Sequence, residues 1–522
     1  MKTKVDLAII GSGFAGSLLA MIARRQGRSV ALIERTRHPR FAIGESSTPI
    51  TNLLLEDLAT RYDLPRLLPL TKWGTWQKMY PEIACGLKRG FTFYHHQFGE
   101  PFTPRPDRSN ELLVAASPND TIADTHWYRP DFDAFMVREA QSLGVDYSDE
   151  TILTGADFDD TGATLSGQRL GQPFSLRARF VIDATGPRGF LHRTLGLLEV
   201  PLQQLPATQA LYAHFTGVRR MDDLVSWPEI PPYPVDDAAL HHVFDGGWVW
   251  VLRFNNGITS AGVAVTNALA LELNLADGAP AWERLLERLP TLRRQFASAR
   301  PVSPFVYAPQ PGFRSGEIAG RRWALLPSAA GFVDPLLSTG FPVTLLGLER
   351  LARILENDWD APGFADHLDD YARRTRRDLD SAEQHVAALY ASMRDLKTFT
   401  AVSMLYFAAA SYSETARRLA KPELTGSAFL LADHREFGSA AQACAAAAIA
   451  LGTHSDPIHR RQLLEQIEST LSPVNIAGLH QPEKRHWYPV DPRDLLANRE
   501  KLQASAEEIE RLLERCGFGI RT

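Results

Sequence analysis

The stretch from Val5 to Glu34 constrains this chain more than any other. Val5-Asp6-Leu7-Ala8-Ile9-Ile10 is short, apolar and ends in glycine, the pattern of a strand buried in a parallel sheet. Gly11-Ser12-Gly13-Phe14-Ala15-Gly16 follows, then Ser17 to Arg25 with Leu18, Leu19 and Ile22 at helical spacing. Ser29 to Ile33 forms a second strand, closed by Glu34 eighteen residues after Gly16. Each part has a physical task in dinucleotide binding. Gly11 permits a tight turn, Gly13 lets backbone approach a pyrophosphate, and Gly16 allows close helix packing. Phe14 and Ala15 open the helix, whose N-terminal N–H groups and dipole favour phosphate. Glu34 is placed to accept from a ribose 2′-OH and to repel a 2′-phosphate. The motif serves FAD and NAD alike.

Composition narrows the class. With 56 Lys+Arg against 61 Asp+Glu, the net charge of −5 argues against a nucleic-acid binder. Three cysteines, Cys85, Cys444 and Cys516, make no disulfide scaffold and have no metal-ligand spacing. They suit a reducing cytoplasm. The opening apolar run is too short for a secretory signal. No stretch approaches the roughly 18 apolar residues of a membrane span; Ala440 to Leu451 comes nearest and reads as a buried helix.

Two further strand-to-glycine junctions lie at Arg179 to Gly186 and Ala324 to Gly331. They imply a nucleotide-binding domain assembled from separated segments. The stretches at about 70–120 and 205–310 alternate apolar and polar residues and read as antiparallel sheet, a wall for a substrate cavity. From about Thr344 the texture is helical. The expected fold is α/β (α+β overall): a Rossmann-type FAD-binding domain with inserted antiparallel sheet and a helical C-terminal region. Residues 1–345 form the core and 346–522 the helical part. The cluster Arg373-Arg374-Thr375-Arg376-Arg377 reads as a solvated helix face. His95-His96 and His241-His242 do not suggest a metal, because adjacent strand residues point to opposite faces. No metal site is expected, and no G-x-S-x-G motif supports hydrolysis.

With Gly11 to Gly16, further segments match a known family. They are Gly44-Glu45-Ser46-Ser47-Thr48-Pro49, Arg129 in Tyr128-Arg129-Pro130-Asp131-Phe132-Asp133, Asp183-Ala184-Thr185-Gly186, and Trp248-Val249-Trp250. Gly331-Phe332-Val333-Asp334-Pro335 with Ser338-Thr339-Gly340 completes the set. The chain resembles the flavin-dependent halogenases, within the FAD monooxygenases of para-hydroxybenzoate-hydroxylase-like fold. It is most similar to the phenol type, which halogenates free phenols such as phloroglucinol. The likeness covers about the first 350 residues and weakens beyond. It implies an enzyme that uses reduced FAD from a separate flavin reductase, oxygen, and chloride or bromide. Hypohalous acid then passes through a tunnel to a lysine, which directs halogen onto a small aromatic substrate, in a natural-product setting. The likeness does not give the oligomeric state.

Residue by residue, the resemblance assigns Lys88 in Ala84 to Phe91 as the catalytic lysine, and Thr339 and Gly340 to halide. It assigns Ser46, Arg129, Asp334 and Gly340 to the cofactor, and Trp248 and Trp250 to the tunnel. Backbone N–H groups at the turn into a helix at Phe341 suit an anion independently of the family. Strand parity over Leu87 to Tyr94 puts Lys88, Gly90, Thr92 and Tyr94 on one face, so Lys88 and Tyr94 are expected to line the cavity together. Two departures stand out. Leu337 replaces the glutamate of the tryptophan-type enzymes, which fits a self-activating phenol better than an indole. Arg253 replaces the proline of the W-x-W-x-I-P motif. Parity turns Arg253 away from the tryptophan face, but the change keeps an alternative open: an FAD monooxygenase that hydroxylates an aromatic molecule or a protein side chain.

Overall fold

The computed structural model describes residues 4–452 and 456–518. Lys4–Ile10 is flanked by Gln172–Asp183 and Val30–Ile33, both parallel to it. Trp323–Leu325 and Asp146–Ser148 extend this sheet on either side, also in parallel. The parallel part of this eight-stranded sheet is therefore assembled from separated segments, as the strand-to-glycine junctions imply. The third junction differs in detail. Its strand ends at Leu325, and Pro327–Ala330 forms a short helix before Gly331–Phe332 pairs with Phe313–Arg314. Pro327 at the first helical position explains the break, since it fixes φ and has no N–H to give a ladder.

The second sheet has nine strands. Thr208–Thr216, Thr259–Thr266, Gly247–Arg253 and Ala239–Phe244 run antiparallel in that spatial order. Gly90–His95 joins Ala239–Phe244 in parallel, and Glu111–Ala115 pairs with Gly90–His95. Two parts of the expected sheet are helical instead. Trp73–Met79 is a short helix in which Trp76, fully buried, anchors the segment and donates its indole N–H to Ile83 O at 2.9 Å. Asn267–Glu272, Ala279–Arg288 and Pro290–Gln295 cover the outer face of the sheet.

Gly340–Asn357 begins the helical part and runs through position 345, where the sequence suggested a boundary. The helices that follow do not stand apart. Val386, Phe399, Tyr406 and Phe407 share one core with Phe91, Phe93, Trp248 and Trp250 from the inner face of the sheet. Trp487–Tyr488 returns to pair with Leu113 and Val114 at the sheet edge. In the basic cluster, Arg373 and Arg374 pair with Asp370, and Arg376 bonds the Gly316 carbonyl. Among the described residues no helix is long and apolar enough to cross a membrane.

Candidate active site

A cavity of about 560 Å³ lies between the two sheets and the helix Gly340–Asn357. At one end it is lined by Gly13, Phe14, Ala15 and Gly16. Gly11 sits behind them with φ +99°, and a Cβ there would stand 2.6 Å from the Ala184 carbonyl oxygen, so only glycine fits. A Cβ on Gly16 would lie 2.0 Å from the Gly11 oxygen. The helix Phe14–Arg25 starts without a side-chain cap or an acidic residue in its first turn, which leaves its N–H groups for phosphate. An uncapped helix end and a turn stripped of side chains, opening on a cavity of about 560 Å³, together fit a dinucleotide such as FAD.

Arg129 fastens the wall of this cavity. Its guanidinium holds Asp133 through two bonds of 2.9 and 2.8 Å and donates to the Ile43 and Gly44 carbonyls. Ser46 lines the wall next to it. Glu34 lies outside the lining; its carboxylate accepts from Ser12, Thr36 and Arg40. Burial pushes its acidity down in strength, but Arg40 and these bonds outweigh that and hold it below the usual range.

At the far end Trp248, Trp250 and Leu252 present one face of their strand to the cavity. Arg253 points the other way, to Asp236 at 2.9 Å and the carbonyls of Val218 and Arg219. The tryptophan face is thus intact despite the missing proline.

Between the two ends stands the loop 334–340. Asp334 is buried; Oδ1 accepts from Leu336 N at 2.9 Å and Oδ2 from the Tyr390 hydroxyl at 3.0 Å, while Tyr390 accepts from the Trp248 indole at 3.1 Å. Burial pushes Asp334 up to about 7. Leu337 and Ser338 both adopt left-handed backbone, φ 61° and 56°, an uncommon strain for non-glycine residues in sequence. The Tyr406 hydroxyl holds the Leu337 carbonyl at 2.9 Å. Thr339 provides no side-chain cap to the helix that starts at Gly340, and a Cβ on Gly340 would meet nothing within 4 Å. This leaves an open backbone concavity suited to a small anion.

Lys88 is fully buried and lies beyond the cavity lining. Its Nζ donates to Ser46 Oγ at 2.9 Å and to the Ser47 carbonyl at 2.5 Å, and sits 3.9 Å over the Phe91 ring. Burial lowers its proton affinity well below the usual lysine range, against the opposing pull of Asp124. Asp124 is its cross-strand partner, raised by its own burial; Asn52 donates to Oδ1 at 2.7 Å, and Oδ2 has no protein partner among the described residues.

Tyr94 does not join Lys88. It lies on the other face of the sheet, packed against Phe102 at 4.8 Å and Trp227 at 5.3 Å. The parity count fails because the chain changes sheets at Arg89. Cys85–Lys88 pairs with Asp124–Trp127, whereas Gly90–His95 belongs to the large sheet. The switch puts Lys88 on the side of Phe91 and Phe93. Sequence reasoning also missed Tyr390 and the buried pair Glu45–His214 at 2.7 Å. Glu45 stands inside a matched motif, but His214 is 169 residues away with no local signal.

This arrangement is that of a dinucleotide-binding protein with a large internal cavity. The tryptophan halogenase family model matches residues 123–401, and an NAD(P)-binding Rossmann-like domain matches 9–59. The chain is 31% identical over 376 residues to tetracycline 7-halogenase of Kitasatospora aureofaciens, covering 69% of this chain and 66% of that one. It is 30% identical over 407 residues to the monodechloroaminopyrrolnitrin halogenase PrnC of Pseudomonas fluorescens, covering 77% and 70%. The fold is similar to that of halogenase PltM in complex with phloroglucinol and FAD, with TM-score 0.83 at 24% identity over 92% of this chain and 99% of that one. The chain belongs to the tryptophan halogenase family. It is an FAD-dependent oxidoreductase of the halogenating class.

Proposed function

We propose that the enzyme halogenates a small, free phenolic substrate, with Lys88 delivering the halogen. The observation that carries this reading is the position of Lys88: a buried amine just beyond the cavity lining, bonded at 2.9 Å to Ser46 in the cavity wall. The nucleotide would be held by Gly13 to Gly16 and by the loop that Arg129 fastens, with Asp334 and Gly340 in the same lining. Reduced FAD, when bound, supplies the electrons for oxygen to oxidise halide to hypohalous acid. Thr339 and Gly340 would hold chloride or bromide with backbone N–H groups, needing neither metal nor lysine. Trp248 and Trp250 keep the aromatic acceptor apart from the cofactor and exclude water around the oxidant. Lys88 then offers an ammonium that bonds the oxidant, or a neutral amine, and its burial brings the two forms close in energy.

Leu337 stands where the tryptophan-type enzymes carry a glutamate just before Ser338-Thr339-Gly340, which suits a phenol whose own oxygen activates the ring. A separate reductase would supply the reduced cofactor, in a cytoplasmic setting. The test is mass spectrometry of a phenol panel with purified protein, FAD, a flavin reductase and NaBr. A bromine isotope doublet on product supports the reading. A gain of one oxygen alone identifies a hydroxylase and refutes it.

A further inference from the structure

Lys88 presents a problem of access: it has no exposed surface and does not line the cavity. Ser46 lines the cavity and also accepts a hydrogen bond from the Lys88 amine at 2.9 Å. It is half-buried, unlike its fully buried neighbour Ser47.

The backbone fixes Ser46 there. Residues 45–47 add a short edge to the ribbon formed by Cys85–Lys88 and Asp124–Trp127. Trp127 N donates to the Glu45 carbonyl at 2.6 Å, Ser46 bridges His126, and Ser47 N donates to the Thr125 carbonyl at 3.1 Å. The Ser47 side chain turns back to the same carbonyl at 2.7 Å. Alternation along this edge therefore sends Ser47 into the ribbon, while Ser46 sits between cavity and lysine. A serine hydroxyl has one donor and two acceptor positions. Lys88 takes an acceptor position, and among the described residues the Ser46 O–H has no protein acceptor.

We infer that Ser46 is the hand-off point between the flavin cavity and Lys88, a role distinct from holding the cofactor. Hypohalous acid reaching this wall accepts from the Ser46 O–H and then passes to a hydrogen bond from Lys88 Nζ, with no covalent bond made or broken in the hand-off. The hydroxyl also keeps Nζ aimed at the cavity, since the remaining bond, to the Ser47 carbonyl, lies within the ribbon. This inference rests on the reading of Lys88 as the delivering residue.

The test follows the fate of the oxidant. Ser46→Ala, Ser46→Thr and Lys88→Ala are run with FAD, reductase, bromide and a phenol, and escaping hypobromous acid is caught by a soluble 1,3-diketone. FAD retention is measured on the same samples. For Ser46→Ala the comparison is made per bound FAD and per total oxidant formed. The share captured as bromophenol should fall about tenfold or more, the loss of a hydrogen bond to a charged group, with a matching rise in trapped oxidant. Ser46→Thr, which restores a hydroxyl, should recover most of the capture. Loss of FAD together with loss of all oxidant in Ser46→Ala would place Ser46 in the cofactor site and overturn the inference. So would unchanged capture. If Lys88→Ala abolishes bromophenol while Ser46→Ala does not, only the hand-off fails. If Lys88→Ala itself keeps its product, the delivery reading beneath it fails.

Discussion

Asp334→Asn should change stability in a pH-dependent way that its burial dictates. The carboxyl is 1% exposed, and no cation contributes to its charge state; only Leu336 N, Tyr390 and Trp248 favour the ionised form. Its ordinary value of 3.8 rises to about 7 in the fold. Below about pH 4 both folded and unfolded states carry the proton, and the residue costs nothing in charge. Between about 4 and 7 the unfolded chain ionises first, so stability falls as pH rises and then levels off. Over that gap, at 1.36 kcal/mol per tenfold, the ionised residue costs roughly 4 kcal/mol above pH 7. Asparagine removes that cost but places an amide N–H₂ where an acceptor stood, losing about 1–2 kcal/mol of hydrogen bonding. The variant should therefore nearly match the parent at pH 5 and exceed it by roughly 2–3 kcal/mol at pH 8. Urea midpoints of flavin-free protein, followed by tryptophan fluorescence at both pH values, measure the difference. A constant offset, or an advantage that shrinks towards pH 8, would show the reasoning to be wrong.

Two further outcomes follow from the cavity. Gly13→Val should abolish flavin retention, because a Cβ there already lies 3.4 Å from Arg129 Nη2 and valine adds two methyl groups where a pyrophosphate must approach; flavin absorbance of the folded variant reads this. Crystals grown with bromide should show an anomalous peak beside the Thr339–Gly340 backbone, and a peak only at surface arginines would count against a halide site there.

What was legible in the sequence was local. The glycine turn, its strands and the outward-turned Arg253 each follow from a periodicity within one element, and the fold keeps them. The position of Tyr94 was not legible, because parity carries only as far as one strand runs. Gly90 marks where it resets: a Cβ there would lie 2.2 Å from the Val114 carbonyl oxygen, so the chain passes close under the large sheet as it leaves the small ribbon. A lone glycine in an alternating run is the signal that argues for a break. The helical reading from about Thr344 held for its elements, yet their role as the wall behind Phe91 and Trp248 depends on packing between segments some 150–300 residues apart. Tyr390 shows the same limit. Its bonds to Asp334 and Trp248 span 56 and 142 residues, and nothing near it in sequence marks a tyrosine that joins the loop 334–340 to the tryptophan face.

Removal of the Lys88 amine tests the central claim most directly. In single-turnover reactions with pre-reduced FAD, bromide and a phenol, Lys88→Ala should bind flavin and reoxidise it at the parent rate while giving no bromophenol. Lys88→Arg, which keeps charge and donors but cannot become a neutral amine, then separates hydrogen bonding from amine chemistry. Substantial bromophenol from Lys88→Ala would contradict the account, because halogen would then reach the ring without the buried lysine.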